Sequence, residues 1–310
     1  MTRPIPSSFA FLLSLACLAP PAPAQQASDG SNAPIVVTGK LPLTEEQTRE
    51  VVRRASRPVD GQLARFKEPV CPRVTGFDAP YEAIVAARIK ATAEAVGARA
   101  GGDGCVTNLY VVIVDDGREF VEELRRRHPD ALAGLSKREL AALVDDEGAA
   151  RSWSATALTN SAGATAGRPS PSAGGGAVKS GFAGSSVSFG DVAVMRTYES
   201  STINPSVQQA IVSAWVVIDT GETFGKTLTQ IADYAAMRGL AMVRPAELAG
   251  SADTILALFE PDGDDSVPEL TGFDLAYLKG LYGIQGRRWA RQQVRQLADA
   301  IARENERANP

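Results

Sequence analysis

The sequence is poor in histidine, and this limits the chemistry that it can perform. His128 is the single histidine among 310 residues, and histidine is the side chain that most often serves as a general base or a zinc ligand. It stands in "RRRHPD", where the neighbouring positive charge opposes the role of a general base in a Ser-His-Asp triad. A catalytic triad and a Cys-His zinc site are therefore disfavoured. We expect His128 to be a solvated residue at the C-terminal end of a helix.

Cysteine is also scarce. The sequence has three cysteines, and Cys17 lies in a predicted signal peptide, which leaves Cys71 and Cys105. An even pair of cysteines in an oxidising compartment predicts a disulfide, which would stabilise the fold by about 3–4 kcal/mol on the chain-entropy estimate. The alternative, a metal site of two thiolates, lacks further ligands, so we expect no metal and no cofactor.

An excess of positive charge is missing as well. The net charge is −4, and it becomes more negative by one unit when Arg3 is removed with the signal peptide. This mild acidity gives no reason to expect nucleic acid or an anionic membrane as a partner.

Long apolar runs are absent, and the longest one at the N-terminus is typical of a signal peptide. Arg3 precedes an apolar stretch over 9–19, and Ala22-Pro23-Ala24 forms a small-x-small cleavage site. This predicts export, with cleavage after Ala24 and no transmembrane segment afterwards. Cys17 raises the alternative of a lipoprotein, but Ser14 stands where a lipobox prefers leucine. We therefore expect a periplasmic or secreted protein.

What the sequence does contain predicts an α/β (α+β) fold: a small mixed sheet with flanking helices and a mostly helical C-terminal part. Capping signals at Thr44, Asp116 and Ser136 predict helix starts, and "CVTNLYVVIVDD" predicts a buried strand. The proposed organisation is a signal peptide (1–24), an N-terminal arm (25–43), an N-terminal α/β part (44–159), a Gly/Ala/Ser-rich loop or linker (160–190) and a C-terminal strand-helix part (191–310) that could form one domain with 44–159.

The arm contains "IVVTGK", Ile35–Lys40. This segment resembles the one near the mature N-terminus of TonB-dependent outer-membrane receptors. The resemblance implies an extended strand offered to the sheet edge of an envelope protein. The alternative is that Ile35–Lys40 forms a first strand of the protein itself or part of a loose arm.

The stretch "WVVIDTGETFGKTLTQIADYA", residues 215–235, has the appearance of a nucleotide-binding strand, loop and helix. A P-loop needs four residues between its first glycine and the Gly-Lys pair, but only three separate Gly221 from Gly225. We therefore interpret the stretch as a strand, a turn and a helix over 225–240.

Three blocks of the C-terminal part carry a resemblance. "TLTQIADYAAMRGLA", "TILALF" and "LTGFDLAYLKGLYG" resemble a pattern in uncharacterised exported proteins of Gram-negative bacteria, and their order is similar to that of exported zincin-like families over about residues 208–283. Zincins carry H-E-x-x-H on the first of these helices, where two histidines bind zinc and the glutamate activates water. Here Gln230, Ile231 and Tyr234 occupy the positions of those three residues, so the resemblance implies a degenerate site.

These patterns favour a non-catalytic binding module of the envelope or periplasm over an enzyme. One side of the helix over 225–240 carries Lys226, Gln230, Asp233 and Tyr234 at neighbouring positions, and we expect either a ligand- or partner-binding face or a solvated surface there. The alternative function is a metal-free hydrolase that uses Asp219, Asp233 or Tyr234.

Overall fold

The computed structural model of the protein describes residues 43–160, 204–260 and 267–308, all within one compact unit of the chain, Gly39–Pro310. The predictions for the signal peptide, for Ile35–Lys40 and for nearly all of the Gly/Ala/Ser-rich stretch lie outside the described residues. The described residues form eight α-helices and five strands, which confirms the predicted α/β class. The helices are α1 (Glu45–Ala55), α2 (Ala79–Ala95), α3 (Gly117–Arg127), α4 (Lys137–Asp145), α5 (Leu228–Leu240), α6 (Pro245–Ala249), α7 (Gly272–Gly283) and α8 (Ala290–Ala308).

The strands form one mixed sheet: β1 (Arg65–Phe66), β2 (Pro72–Thr75), β3 (Leu109–Val114), β4 (Ala150–Thr159) and β5 (Gln208–Asp219). The longest strand, β5, is central. It pairs antiparallel with β4 on one side, and on the other side it pairs parallel with both β1 and β3. β2 lies outside β3 and parallel to it. β4 and β5 are neighbours in the sheet although 48 residues separate them in the chain, so the segments before and after the Gly/Ala/Ser-rich stretch share one sheet.

Each face of the sheet has its own apolar cluster, because successive side chains of a strand point to opposite faces. Val216 and Ile218 of β5 belong to the large cluster that includes α2 and α5, and α1, α6, α7 and α8 extend it. Val217 lies in a smaller cluster with residues of α3 and α4, and Trp215 packs against that cluster. Tyr110 of β3, Trp215 and Trp153 of β4 form a stacked row, with ring centroids 4.1 and 5.5 Å apart.

The local capping signals position the helices as the sequence predicted. Capping boxes join Thr44 to Gln47 at α1 and Ser136 to Glu139 at α4. The Asp116 carboxylate accepts a hydrogen bond from the Glu119 amide, 2.9 Å away, at the start of α3. His128 is the exposed C-terminal cap residue of the same helix. These contacts explain why the N-terminal helices begin where short sequence motifs predict.

The predicted disulfide between Cys71 and Cys105 is present, with the two Cα atoms 6.0 Å apart. It joins the residue before β2 to the loop that leads into β3. In the described part of the chain, no helix combines the length and the apolar character that crossing a membrane requires.

Candidate functional site

Helix α5 is the element on which the sequence predictions converge, and it lies inside the protein. It begins at Leu228, three residues later than predicted, because a capping box of Thr227 and Gln230 sets its first turn. Ten of its thirteen residues are buried. The polar side that we expected to be a binding face or a solvated surface is therefore covered by protein.

The stretch before α5 does not form a phosphate-binding loop. Residues 220–223 form a short 3-10 helix after β5, and Gly225 has a positive φ of 78° in the turn that follows. At the start of α5, the Gln230 amide oxygen accepts the Thr227 amide hydrogen at 2.9 Å, and the Thr227 hydroxyl accepts that of Gln230 at 3.1 Å. These backbone donors are therefore satisfied within the chain.

Asp233 is the centre of a buried ion pair. Its side chain has no solvent exposure, and its two carboxylate oxygens accept hydrogen bonds from Nε and Nη2 of Arg88 on α2, each at 2.8 Å. The backbone amide of Leu270 donates a third hydrogen bond at 2.9 Å. This bidentate contact raises the pKa of Arg88. The interaction ties α5 to α2 and to the segment that precedes α7.

Tyr234 and Gln230 are also bonded within the protein. The Tyr234 hydroxyl accepts a hydrogen bond from Nη1 of Arg238 at 2.8 Å, its ring forms a T-shaped contact with that of Phe259, and burial raises its pKa. The Gln230 side-chain amide donates to the Val267 carbonyl at 2.9 Å. The ammonium group of Lys226 lies 5.7 Å from the centroid of the Phe259 ring.

A second buried carboxylate, Asp274, performs a similar role in the third block. It belongs to the capping box of Thr271 at the start of α7. It also accepts hydrogen bonds from the Thr254 hydroxyl and from the Ile255 amide, the latter at 2.8 Å. Burial raises the pKa of Asp274, and these hydrogen bonds oppose the shift. Thr254 and Ile255 open the second block, so Asp274 joins the second block to the third.

The two aspartates give a physical reason for the three-block pattern. Asp233 connects the first block to the third through the Leu270 amide, Asp274 connects the third to the second, and Tyr234 connects the first to the second through Phe259. A buried carboxylate requires such partners, because without them its desolvation is costly. The pattern therefore specifies how three separate segments pack.

Asp219 lies on the opposite face of the sheet from α5. It follows Trp215 and Val217 at alternate positions of β5, on the side covered by α3 and α4. Its carboxylate accepts hydrogen bonds from the Gly117 amide at 2.9 Å and from Arg151 at 3.3 Å. The structure therefore places Gln230, Asp233 and Tyr234 on α5 and Lys226 just before its N-cap residue, but it does not place Asp219 with them.

A zincin-type metal does not fit the residues of α5. The positions that the resemblance assigns to the two histidines hold an amide and a phenol that are bonded inside the protein, and the position that it assigns to the glutamate holds Ile231, which is buried in the apolar core. Among the residues that the structure describes, no group of three or more histidine, cysteine, aspartate or glutamate side chains could hold a metal ion.

Comparison with known proteins gives no relative from which a role could be transferred: no family model, no curated protein and no solved structure matches this chain.

Sequence reasoning missed two parts of this network. Arg88 was not identified because it is separated from Asp233 by 145 residues and lies among ordinary helix residues. Asp274 lies in the block "LTGFDLAYLKGLYG", but nothing in that block indicates that its carboxylate is buried.

Proposed function

We propose that this chain is an exported protein of the bacterial envelope or periplasm that acts by binding, on a scaffold derived from a zincin-like fold. The observation that carries the proposal is the burial of three side chains of α5. The positions that hold the zinc ligands and the general base in zincins are occupied here by Gln230, Ile231 and Tyr234, all of them buried. The two polar ones have internal hydrogen-bond partners.

The arrangement of the acidic side chains supports binding over hydrolysis. A general acid or base must come within hydrogen-bond distance of a substrate. Asp233 has no exposed surface and is paired with Arg88, whereas Asp219 is paired with Arg151 on the other face of the sheet. A metal-free hydrolase that combines these groups would need a large rearrangement of the core.

Export is supported by two independent features. The N-terminal sequence has the charge, apolar core and small-x-small site of a signal peptide, and the disulfide of Cys71 and Cys105 is of the kind that persists in an oxidising compartment. In this proposal, Ile35–Lys40 follows the cleavage site closely and offers a strand to an envelope partner. Deletion of 35–40 is expected to abolish cross-linking of the exported protein to that partner.

The experiment that separates binding from hydrolysis uses the mature protein, purified from the periplasm, with fluorogenic peptide and ester libraries. The expected result is no turnover above the level of the buffer, with or without added zinc. Turnover that is lost in Tyr234→Phe or Asp219→Asn, while circular dichroism shows an intact fold, would establish the hydrolase instead.

A further inference from the structure

A cavity of about 400 Å³ lies between the start of β5, the strand β1 and the loop before α8. No residue of α5 lines it. Four cationic side chains line it: Arg65, Lys67, Arg287 and Arg288. The remaining lining residues are neutral, and no acidic residue of the described part of the chain belongs to the lining. This is an unusual concentration of one sign of charge in a protein whose net charge is −4.

Two of these cations, Arg65 and Arg288, are hydrogen-bonded to neutral groups. Arg65 is buried, and its Nη2 donates to the carbonyl oxygen of Ile284 at 2.9 Å. Arg288 donates to the side-chain oxygens of Gln285 and Asn204, each at 2.8 Å. Within the described residues, neither Arg65, Lys67 nor Arg288 forms a salt bridge with a carboxylate, in contrast to Arg88 and Arg151. Arg65 is the buried cation of the group, and burying a cation without a counter-charge is costly, so a bound anion would be favoured here.

The electrostatic state of Lys67 agrees with this geometry. Burial and then the neighbouring charge of Arg65 lower the pKa of Lys67 to about 8. Burial also lowers the pKa of Arg65. Both shifts have the sign expected where positive charge is concentrated and poorly solvated.

Close packing at the edge of the cavity requires a glycine at position 286. A Cβ atom on Gly286 would lie 1.8 Å from Oε1 of Gln208 and 3.3 Å from Nη2 of Arg65. Any side chain at position 286 would therefore displace Gln208 and crowd the guanidinium group of Arg65. The cavity volume is within the range of sites for small ligands.

We propose that this cavity is a binding site for a small anionic ligand that carries a phosphate group, which Arg65, Lys67 and Arg288 bind through charge-assisted hydrogen bonds. Guanidinium groups present paired donors that match the oxygens of a phosphate. The phosphate could belong to a small solute or to a lipid headgroup, and both sources offer the same chemistry to the cavity. The inference concerns a different part of the protein from α5, and it does not depend on the zincin-like ancestry.

The test uses the mature protein and two probes. Isothermal titration with pyrophosphate measures binding of a soluble phosphate, and flotation with phosphatidylglycerol vesicles, against phosphatidylcholine vesicles, measures binding of a lipid headgroup. The cavity variants are Lys67→Met and Arg288→Gln. The matched control is Arg291→Gln, which removes the same charge from an exposed position on α8 that does not line the cavity.

The expected result is saturable binding of one pyrophosphate per chain, weakened about tenfold or more in each cavity variant and unchanged in Arg291→Gln. The native protein could instead float selectively with phosphatidylglycerol vesicles. If both cavity variants lose this flotation and Arg291→Gln keeps it, the same site is supported and its phosphate comes from a lipid headgroup. The proposal is overturned if neither probe binds saturably, or if Arg291→Gln weakens binding as much as the cavity variants do. Thermal unfolding of each variant confirms that it is folded before binding is compared.

Discussion

Replacing Arg88 by alanine tests the idea that Asp233 is a structural residue. In the native protein, the buried carboxylate accepts two hydrogen bonds from Arg88 and one from the Leu270 amide. Arg88→Ala removes the cation and two of these donors but leaves the carboxylate in the core. Breaking a buried ion pair by removing one partner typically costs 3–5 kcal/mol. Because the Arg88 side chain is itself 39% exposed, we expect the lower end, about 3 kcal/mol.

The chain offers a matched control on the same arginine. Glu269 also pairs with Nη2 of Arg88, at 3.0 Å, but its side chain is 58% exposed. Exposed ion pairs contribute about 0.2–1 kcal/mol to stability, so Glu269→Ala should change the free energy of unfolding only slightly. The double variant Arg88→Ala/Asp233→Ala should be more stable than Arg88→Ala alone, because it removes the uncompensated charge.

Urea unfolding followed by circular dichroism measures these differences. For a typical m-value of about 1–3 kcal/mol/M, a loss of about 3 kcal/mol lowers the midpoint by about 1 M or more. The reasoning is refuted if Arg88→Ala costs no more than Glu269→Ala, or if removing Asp233 as well brings no recovery.

Three further predictions concern other parts of the fold. Replacing Cys71 and Cys105 together by serine should cost about 3–4 kcal/mol in urea unfolding, since the disulfide closes a loop of 34 residues; an unchanged midpoint would contradict this. Gly76→Ala should cost at least 2 kcal/mol more than Gly97→Ala in the same assay, by an order-of-magnitude estimate from steric overlap. Both glycines have positive φ, but a Cβ on Gly76 would lie 2.1 Å from the Ile113 carbonyl oxygen, whereas a Cβ on Gly97 would meet no atom within 4 Å; equal costs would argue against the overlap. Between about pH 8 and the ordinary pKa of lysine, 10.5, Lys67 is protonated in the unfolded chain but has lost its proton in the folded protein. The free energy of unfolding of the native protein should therefore rise with pH in this range relative to that of Lys67→Met. If the difference between the two proteins does not change between pH 7.5 and 9.5, Lys67 is not desolvated.

The parts of the fold that the sequence predicted correctly are those set by neighbouring residues. The capping boxes of Thr44 and Ser136 lie within one turn of helix. The apolar run of β3 forms a strand as predicted, with alternate residues buried and the others half-buried. The pairing of Cys71 with Cys105 was predicted because they are the two cysteines left after the predicted removal of the signal peptide and because an oxidising compartment was expected. The caps and the strand can be read from short stretches of sequence, and the disulfide can be predicted by counting cysteines.

The parts that could not be predicted depend on residues that are distant in the chain. The polar side of α5 has the spacing of an exposed helix face, but Arg88, Leu270 and Val267 come from other segments and bury it. The cationic cavity likewise joins Arg65 to the loop before α8, more than 200 residues later. Helical periodicity reports where side chains point and cannot report which distant group covers them.

The measurement that tests the central claim most directly is native mass spectrometry of the protein purified from the periplasm. The claim is that α5 retains the position of a zincin helix but serves as a buried scaffold without metal. We predict a chain that begins at Gln25, with the disulfide formed and no zinc bound after equilibration with stoichiometric zinc. One zinc ion retained per chain, and lost when Gln230 and Tyr234 are replaced, would contradict the account.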